Sequence, residues 1–374
     1  MEKIKVLTVF GTRPEAIKMA PVLKALEGSQ VFEPRLAVTA QHREMMDQVL
    51  DIFKVQADYD LDIMRPGQSL SSIMVRALSG LEEVIADFSP RLLLVHGDTA
   101  TTFAGALAAY YHKLDIGHVE AGLRTYDKYQ PFPEEINRHL TGVLADHHFA
   151  PTERAAANLR EERIPPERIQ VTGNTIIDAL LDVVERPHEF NREELQEIDF
   201  QAGPVILMTA HRRENWGTPL EKICSGVRRL VEEISDLQVI YPLHANPILR
   251  DTVFTILGKH PRVHLIEPLD YLDFCHLMAR ATIVLTDSGG LQEEAPALDK
   301  PVLVMREKTE RPEGLDAGTV RLVGTDENRI YSEVKALLEN EEIYQAMASA
   351  PNPFGDGKAA QRICNYLESF YLCT

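Results

Sequence analysis

A βαβ unit is predicted by residues 91–120, RLLLVHGDTATTFAGALAAYYHKLDIGHVE. The apolar run at 91–98 has the length of a buried strand, residues 99–112 are rich in small residues and favour a helix, and 114–120 predicts a second strand. Because two strands joined through a helix run parallel, this segment predicts a parallel sheet covered by helices.

The same alternation of strands and helices extends in both directions from this unit. Upstream, residues 4–10 (IKVLTVF) predict a buried strand, and a helix with one apolar face follows. Downstream, after a polar stretch, the alternation restarts at 204–215 and continues to 281–290. We therefore predict an α/β fold with two Rossmann-like, doubly wound domains that face a cleft.

The domain boundaries follow from where the pattern breaks. We place the hinge between Thr172 and Gly203, where the sequence is charged and lacks an apolar period. The first domain is predicted at 1–172, joined by a C-terminal helix at 357–374, and the second at 173–356.

The composition agrees with two cores and an anionic surface. A chain of 374 residues with 44% hydrophobic residues can bury two cores of ordinary size. The 39 basic and 57 acidic residues give a formal net charge of -18, which disfavours nucleic acid as a partner. The four cysteines lack metal-ligand spacing, and no apolar run is long enough for a signal peptide or a membrane span. We expect a cytoplasmic protein without a metal or a membrane partner.

The segment TDSGGLQEE follows a predicted strand and predicts an anion site. Ser288, Gly289 and Gly290 come at the start of a predicted helix, where free backbone N–H groups favour a phosphate. Glu294, about one turn further, can accept hydrogen bonds from ribose hydroxyls, whereas Glu293 is read as a solvated neighbour. The alternative is an ordinary βα turn without a ligand.

Basic side chains follow other predicted strands of this acidic chain. Arg13 and Lys18 flank the first helix, His211 and Arg212 follow the strand at the start of the second domain, and Arg311 lies in a loop. Guanidinium and ammonium groups are the usual phosphate ligands. Lys18 taken alone is equally consistent with a surface lysine.

Carboxylates form the other half of the predicted site. Asp98 and Glu120 end predicted strands, and Glu134 begins a helix in PFPEEINR. A buried carboxylate with a raised pKa can exchange a proton with carbon near neutral pH. The alternative for Glu134 is an ion pair with Arg138, one helical turn away.

Taken together, these motifs resemble the non-hydrolysing UDP-N-acetylglucosamine 2-epimerases nearly end to end. The resemblance is carried by the following segments: GTRPEAIKMAPV (11–22), AQHREMMDQVL (40–50), HGDTATTFAG (96–105), GHVEAGLRT (117–125), PFPEEINR (131–138), TAHRREN (209–215), TDSGGLQEEAP and TERPEG. It implies the glycosyltransferase-B architecture and inversion at carbon 2 of the sugar without NAD or a metal, through loss and re-addition of UDP. A manno product suggests a role in envelope or capsule polysaccharide.

Site residues are implied by the resemblance at the matching positions. The implied UDP ligands are Arg13, Lys18, His211, Phe274 on the uracil side, Ser288, Gly289, Gly290, Glu294 and Arg311. The implied catalytic residues are Asp98, Glu120 and Glu134, with His211 beside them, and the choice of the base at carbon 2 stays open.

The resemblance also implies regulation and assembly. In some bacterial members a second UDP-N-acetylglucosamine activates the enzyme, and the matching positions here are Gln41, Gln68, Glu134, Arg212 and His244. Where those members carry arginine, this chain has Gly67, so we expect a weakened activator site. Ala100 replaces the usual threonine in HGDTATT without expected effect. A homodimer is also expected.

Three other functions are compatible with parts of the pattern. An epimerase of a UDP-linked diacetamido sugar would use the same chemistry. A glycosyltransferase would share the fold, and a nucleotide-sugar sensor would explain the SGG turn. The last two functions leave Asp98, Glu120 and Glu134 without a role, which favours the epimerase.

Overall fold

The computed structural model describes residues 2–39, 43–65 and 67–373. Every strand pairing in this part of the chain is parallel. The strands are β1 (Ile4–Phe10), β2 (Phe32–Val38), β3 (Tyr59–Asp60), β4 (Leu92–His96), β5 (Asp115–Val119), β6 (His147–Ala150), β7 (Ile169–Val171), β8 (Val205–Thr209), β9 (Gln238–Pro242), β10 (Val263–Ile266), β11 (Ile283–Thr286), β12 (Val302–Val304) and β13 (Val320–Leu322).

Helices alternate with these strands. They are α1 (Arg13–Gly28), α2 (Arg43–Phe53), α3 (Leu70–Phe88), α4 (Ala100–Tyr111), α5 (Glu134–Leu144), α6 (Glu153–Glu161), α7 (Thr175–Val184), α8 (Glu193–Gln196), α9 (Thr218–Glu233), α10 (Pro247–Leu257), α11 (Tyr271–Arg280), α12 (Leu291–Glu294), α13 (Pro312–Ala317), α14 (Glu327–Glu339), α15 (Glu341–Ala348) and α16 (Ala359–Cys373). Within the described ranges, no helix has both the length and the apolar character that a membrane span requires.

The strand order gives each sheet a switch point. The first sheet runs β3-β2-β1-β4-β5-β6-β7 and the second runs β10-β9-β8-β11-β12-β13. The order reverses between β1 and β4 and again between β8 and β11, so the loops that leave these neighbouring strands diverge and open a space at the carboxyl edge. The predicted α/β fold with two doubly wound sheets is confirmed.

The predicted small-residue helix packs closely on the first sheet. A Cβ atom on Gly105 of α4 would lie 2.9 Å from Cγ1 of Val95 in β4, and one on Gly117 of β5 would lie 2.4 Å from Cδ2 of Leu94. All five residues of β4 are buried, as expected for a central parallel strand. Small residues at 105 and 117 therefore allow the close packing that positions the ends of β4 and β5.

The chain divides into two compact units, Met1–Ala179 with Gly355–Thr374, and Leu180–Phe354. The C-terminal helix α16 belongs to the first unit and packs on α1. Its first backbone N–H groups, those of Ala359 and Ala360, donate to the buried carboxylate of Asp178. This carboxylate caps the helix and fixes its start in the first unit.

Candidate active site

A buried glutamate joins the two turns at the switch point of the first sheet. Glu15 of α1 is 3% exposed, and its carboxylate accepts hydrogen bonds from the backbone N–H groups of Gly11 and Thr12 at 3.1 and 2.8 Å. The hydroxyls of Thr99 and Thr102 donate to its other oxygen at 2.8 and 3.1 Å. Because one carboxylate bonds both turns, it fixes the start of α1 relative to the start of α4.

Glu120 lies at the end of β5 in a small charged cluster. Lys18 Nζ is 2.6 and 2.8 Å from its two oxygens, His96 Nε2 is 3.0 Å from Oε2, and the amide of Asn174 donates to Oε1 at 3.1 Å. The Glu120 side chain is 8% exposed. Its backbone is left-handed, with a φ of 63°, which is uncommon for a residue other than glycine and costs energy. The local fold therefore holds this carboxylate in a strained position.

The charge state of Glu120 differs from the sequence expectation. Burial raises the pKa of this carboxyl, but the ammonium of Lys18 and the imidazole of His96 outweigh burial and hold the pKa well below its ordinary value. The expectation of a raised pKa is therefore wrong for Glu120 while Lys18 is paired with it. A pair of this kind places the carboxylate in its ionised form at neutral pH.

His118, which lies in β5 two residues before Glu120, has a structural role. Burial lowers the pKa of His118 to about 3, so the ring is neutral. Its Nε2 lies 2.7 Å from the carbonyl oxygen of Gly97, which can only accept, so Nε2 carries the proton and donates. This bond holds the turn immediately before Asp98.

Asp98 and Glu134 have different environments. Asp98 forms an ion pair with Arg138 at 2.5 Å. Arg138 also lies 3.4 Å from Glu135, a buried carboxylate that accepts hydrogen bonds from two backbone N–H groups. The alternative pairing of Glu134 with Arg138 is not formed. Oε2 of Glu134 is buried and has no hydrogen-bond partner among the described residues, which leaves it available to a ligand.

In the second unit, Asp287 organises the loop that follows β8. This residue is fully buried after β11, and its Oδ2 accepts hydrogen bonds from the backbone N–H groups of His211 and Arg212 at 2.9 and 2.8 Å. The side-chain amide of Asn215 donates to the same oxygen at 2.9 Å. Nδ1 of His211 lies 3.3 Å from the other oxygen, so Asp287 also orients the imidazole.

A cavity of about 290 Å³ lies at the carboxyl edge of the second sheet. The predicted site residues His211, His244, Phe274 and Ser288 line it, together with apolar side chains such as Leu269. An apolar cavity with an aromatic ring and a few polar groups is suited to a planar base. Of the predicted activator residues, His244 is thus a cavity residue.

The glycine turn after β11 differs in detail from the prediction. The helix predicted to start at this turn consists of α12, four residues long, followed by a 3-10 helix at Ala295–Leu298. A short helix has a weak dipole, so anion binding here would depend mainly on local N–H groups. A Cβ on Gly290 would lie 3.2 Å from Oε1 of Glu294, so the Glu294 carboxylate is adjacent to the turn.

Two predicted anion ligands in this unit form ion pairs with glutamates. Arg311 pairs with Glu293, which is 4% exposed, so the reading of Glu293 as a solvated neighbour is wrong. Arg212 lies 3.6 Å from Glu310, and its guanidinium is 3.7 Å from the position of a Cβ on Gly289. Both arginines are therefore oriented by acidic side chains.

The remaining predicted residues are less constrained. Arg13 begins α1, and its side chain makes no hydrogen bond or ion pair within the described part of the chain. Gln68 donates to Sδ of Met64, and Gly67 before it has a φ of 69°. Gln41 lies outside the described residues. In those ranges no group of three or more His, Cys, Asp or Glu side chains could hold a metal ion.

Comparison with known proteins identifies the family. A family model described as UDP-N-acetylglucosamine 2-epimerase matches residues 24–368. The chain belongs to the UDP-N-acetylglucosamine 2-epimerase family. This confirms the family that the sequence motifs indicated.

Individual members of the epimerase family align over nearly the whole chain. The UDP-N-acetylglucosamine 2-epimerase of Salmonella typhimurium is 55% identical over 372 residues, which are 98% of this chain and 99% of that protein. The Bacillus subtilis enzyme of the same name is 52% identical and covers 99% and 97%. The crystal structure of the Neisseria meningitidis UDP-GlcNAc 2-epimerase bound to UDP-GlcNAc has a TM-score of 0.85 at 48% identity, covering 98% and 100%.

Sequence reasoning missed the side chains that hold the site together. Glu15 and Asp287 lie inside the quoted motifs GTRPEA and TDSGG, and an acidic residue beside a glycine turn is the signal that could have identified them. Glu135 lies beside Glu134 in PFPEEINR, and the motif alone does not show that its carboxylate accepts backbone hydrogen bonds from Thr125 and Tyr126. His96 and Asn174 contact Glu120 from distant segments, so no local pattern predicts them.

We expect Asp287→Asn to destabilise the second unit by roughly 1.5 to 3 kcal/mol, because an amide presents N–H groups to donors that now face a carboxylate. Denaturant unfolding measures the change. Asp236→Asn, at an exposed aspartate of the same unit, is the control and should change stability by less than about 0.5 kcal/mol. Equal stabilities of the two variants would contradict the assigned role.

Proposed function

We propose that the chain interconverts UDP-N-acetylglucosamine and UDP-N-acetylmannosamine by inverting carbon 2 of the sugar. The observation that carries the proposal is the set of carboxylates Asp98, Glu120 and Glu134 in the first unit, because nucleotide binding alone would not require them. The names of the full-length relatives point to the same reaction.

The proposed mechanism is elimination followed by re-addition. The bond between the anomeric carbon and the UDP oxygen breaks, and its electron pair leaves with UDP. A carboxylate removes the proton from carbon 2, and the electrons of that C–H bond form the double bond of 2-acetamidoglucal. Adding a proton to the opposite face and UDP to the anomeric carbon completes the inversion. Positive charge that develops at the anomeric carbon acidifies the C–H bond, so cations that stabilise the departing UDP also accelerate proton removal.

We propose that the cavity of the second unit binds the nucleoside. Phe274 would contact the uracil, Glu294 would accept from the ribose hydroxyls, and the N–H groups of the glycine turn would bind phosphate. In this unit His211 and Arg311 would add charge to the diphosphate, and in the first unit the guanidinium of Arg13 and the ammonium of Lys18 are the proposed phosphate ligands. Among the described residues the Arg13 side chain has no hydrogen-bond or ion-pair partner, which supports a ligand for it.

We also propose allosteric activation by a second substrate molecule and assembly as a homodimer. The unpaired buried oxygen of Glu134 supports a ligand near the matching activator positions. An apolar stripe on α5 supports the dimer, because Ile136, Leu140 and Val143 are 39, 41 and 78% exposed on one face of the helix. A second copy is the proposed occupant, since isologous pairing is the commonest way to cover such a face.

Incubation with UDP-N-acetylglucosamine in deuterated water tests the reaction. Proton NMR should show UDP-N-acetylmannosamine carrying deuterium at carbon 2, because the removed proton exchanges with solvent on the carboxyl group before re-addition. A manno product that retains full protium at carbon 2 would contradict the elimination. Transfer of the sugar to an acceptor, with no manno product, would favour a glycosyltransferase instead.

Substitution of the three acids tests the catalytic assignment. Asp98→Asn, Glu120→Gln and Glu134→Gln keep the size of each side chain, so UDP binding measured by calorimetry should survive. Turnover should fall about a hundredfold or more in at least two of the variants. Glu134→Gln should also flatten a sigmoidal substrate response. Turnover within a few-fold of wild type in all three variants would show that the acids are assigned wrongly.

Leu140→Glu should shift the protein from dimer to monomer in sedimentation velocity, since a charge would have to be buried in the proposed interface. Leu372→Glu, at an exposed leucine of α16, is the matched control and should leave the dimer intact. A monomeric wild-type protein, or a dimer that tolerates glutamate at 140, would refute the proposed surface.

A further inference from the structure

We propose that Lys18 exchanges partners, leaving Glu120 for the diphosphate of a bound nucleotide, so that Glu120 becomes able to trade a proton only in the nucleotide complex. The inference rests on the proposed function, because it requires a diphosphate ligand. It assigns a single lysine to both halves of the reaction, binding of the leaving group and control of the acid.

The geometry of the Lys18–Glu120 pair supports this exchange. Lys18 contacts both Glu120 oxygens and neutralises the carboxylate directly. Its side chain is 18% exposed, whereas Glu120 is 8% exposed, so the ammonium is the accessible member of the pair. A lysine ammonium is a point charge on a flexible stem with no fixed fork, and it can change partners without movement of the backbone.

Lys18 lies on α1, the helix that begins with the proposed phosphate ligand Arg13. It follows Arg13 by five positions, and Thr12 caps the helix immediately before Arg13. The backbone N–H groups of Gly11, Thr12 and Glu15 at this turn are already bonded within it, so a phosphate here would depend on the side chains of Arg13 and Lys18. A diphosphate carries more charge than a single carboxylate, so it competes effectively for the ammonium.

The other groups that face Glu120 determine what the exchange does. His96 from β4 lies 3.0 Å from one oxygen, and the neutral amide of Asn174, which precedes α7, bonds to the other. Burial favours the neutral form of the carboxyl, and the cation of Lys18 is the largest influence that opposes burial. Once Lys18 has moved, its lowering effect is lost while burial and His96 remain, so the pKa of Glu120 rises toward the range in which the carboxyl can exchange a proton.

The proton affinity of Glu120 therefore differs between the free protein and the nucleotide complex. In the empty site Glu120 is ionised and paired, so it is a weak acid-base catalyst. In the complex its proton affinity increases at the time when the diphosphate is in place to leave. The raised pKa expected from the sequence would then be a property of the complex.

Proton uptake on UDP binding measures the exchange. If the pKa of Glu120 is higher in the complex than in the free protein, the complex holds more protons, so binding takes up protons at a pH between the two values. Calorimetry with UDP in buffers of different ionisation enthalpy gives the number taken up. The UDP phosphate contributes its own proton change, which cancels in the difference between wild type and Glu120→Gln.

We expect wild type to take up more protons than Glu120→Gln, by up to roughly one per site, and UDP affinity to tighten by as much as about tenfold per unit decrease in pH within that window. In a Lys18→Met background, the proteins with Glu120 and with Glu120→Gln should take up equal numbers of protons. Without Lys18, the surroundings of Glu120 no longer change when UDP binds. Lys24→Met is the matched control on α1, where the ammonium lies over Phe53, and should behave as wild type.

Equal proton uptake by wild type and Glu120→Gln, with UDP bound in both, would overturn the exchange and leave the proposed function standing. A protein that does not bind UDP would overturn both. The pH dependence of UDP affinity, compared between wild type and Glu120→Gln, decides the question without Lys18→Met, since an affinity that does not tighten more in wild type than in Glu120→Gln as the pH falls would contradict the exchange.

Discussion

A buried carboxylate near the carboxyl edge of a parallel sheet must be compensated by hydrogen-bond donors or by a cation. The structure depends on three such carboxylates, each compensated in a different way. Glu15 is saturated by backbone and hydroxyl donors from two turns. Asp287 is bonded by the N–H groups of the loop after β8. Glu120 is neutralised by Lys18, a side chain that can leave. The first two carboxylates therefore have fixed structural roles. The cation that compensates the third can be removed by a ligand.

The two units share one type of sheet topology but differ in the side chains that their loops carry. Each sheet reverses its strand order, and each places its polar loops at that reversal. In the first unit the loops carry acids and cations, which suits proton transfer beside a charged leaving group. In the second they enclose an apolar cavity beside a glycine turn, which suits a nucleoside. A fold of this kind does not specify a reaction, so the functional argument depends on these side chains.

Local sequence patterns were sufficient for most of the fold. The strand, small-residue helix and strand at 91–120 form as predicted because burial on both faces requires continuous apolar strands, and close packing requires Gly105 and Gly117. The break between α12 and its 3-10 helix was not predicted, since APAL carries a proline whose effect depends on the surrounding packing.

The site was predictable as a list of residues but not as a set of contacts. The motifs placed Glu134 and Glu135 side by side. Only the fold shows that Glu135 is buried against backbone donors, while an oxygen of Glu134 has no hydrogen-bond partner among the described residues. The charge of Glu120 depends on Lys18, 102 positions away in sequence, and no local pattern reports such a contact.

A crystal structure of this chain with UDP bound tests the central claim most directly. The account predicts that the Lys18 ammonium contacts the bound diphosphate and lies beyond hydrogen-bond distance from Glu120. A complex in which UDP occupies another surface, or in which Lys18 keeps both contacts with Glu120 while the diphosphate is bound elsewhere, would contradict it.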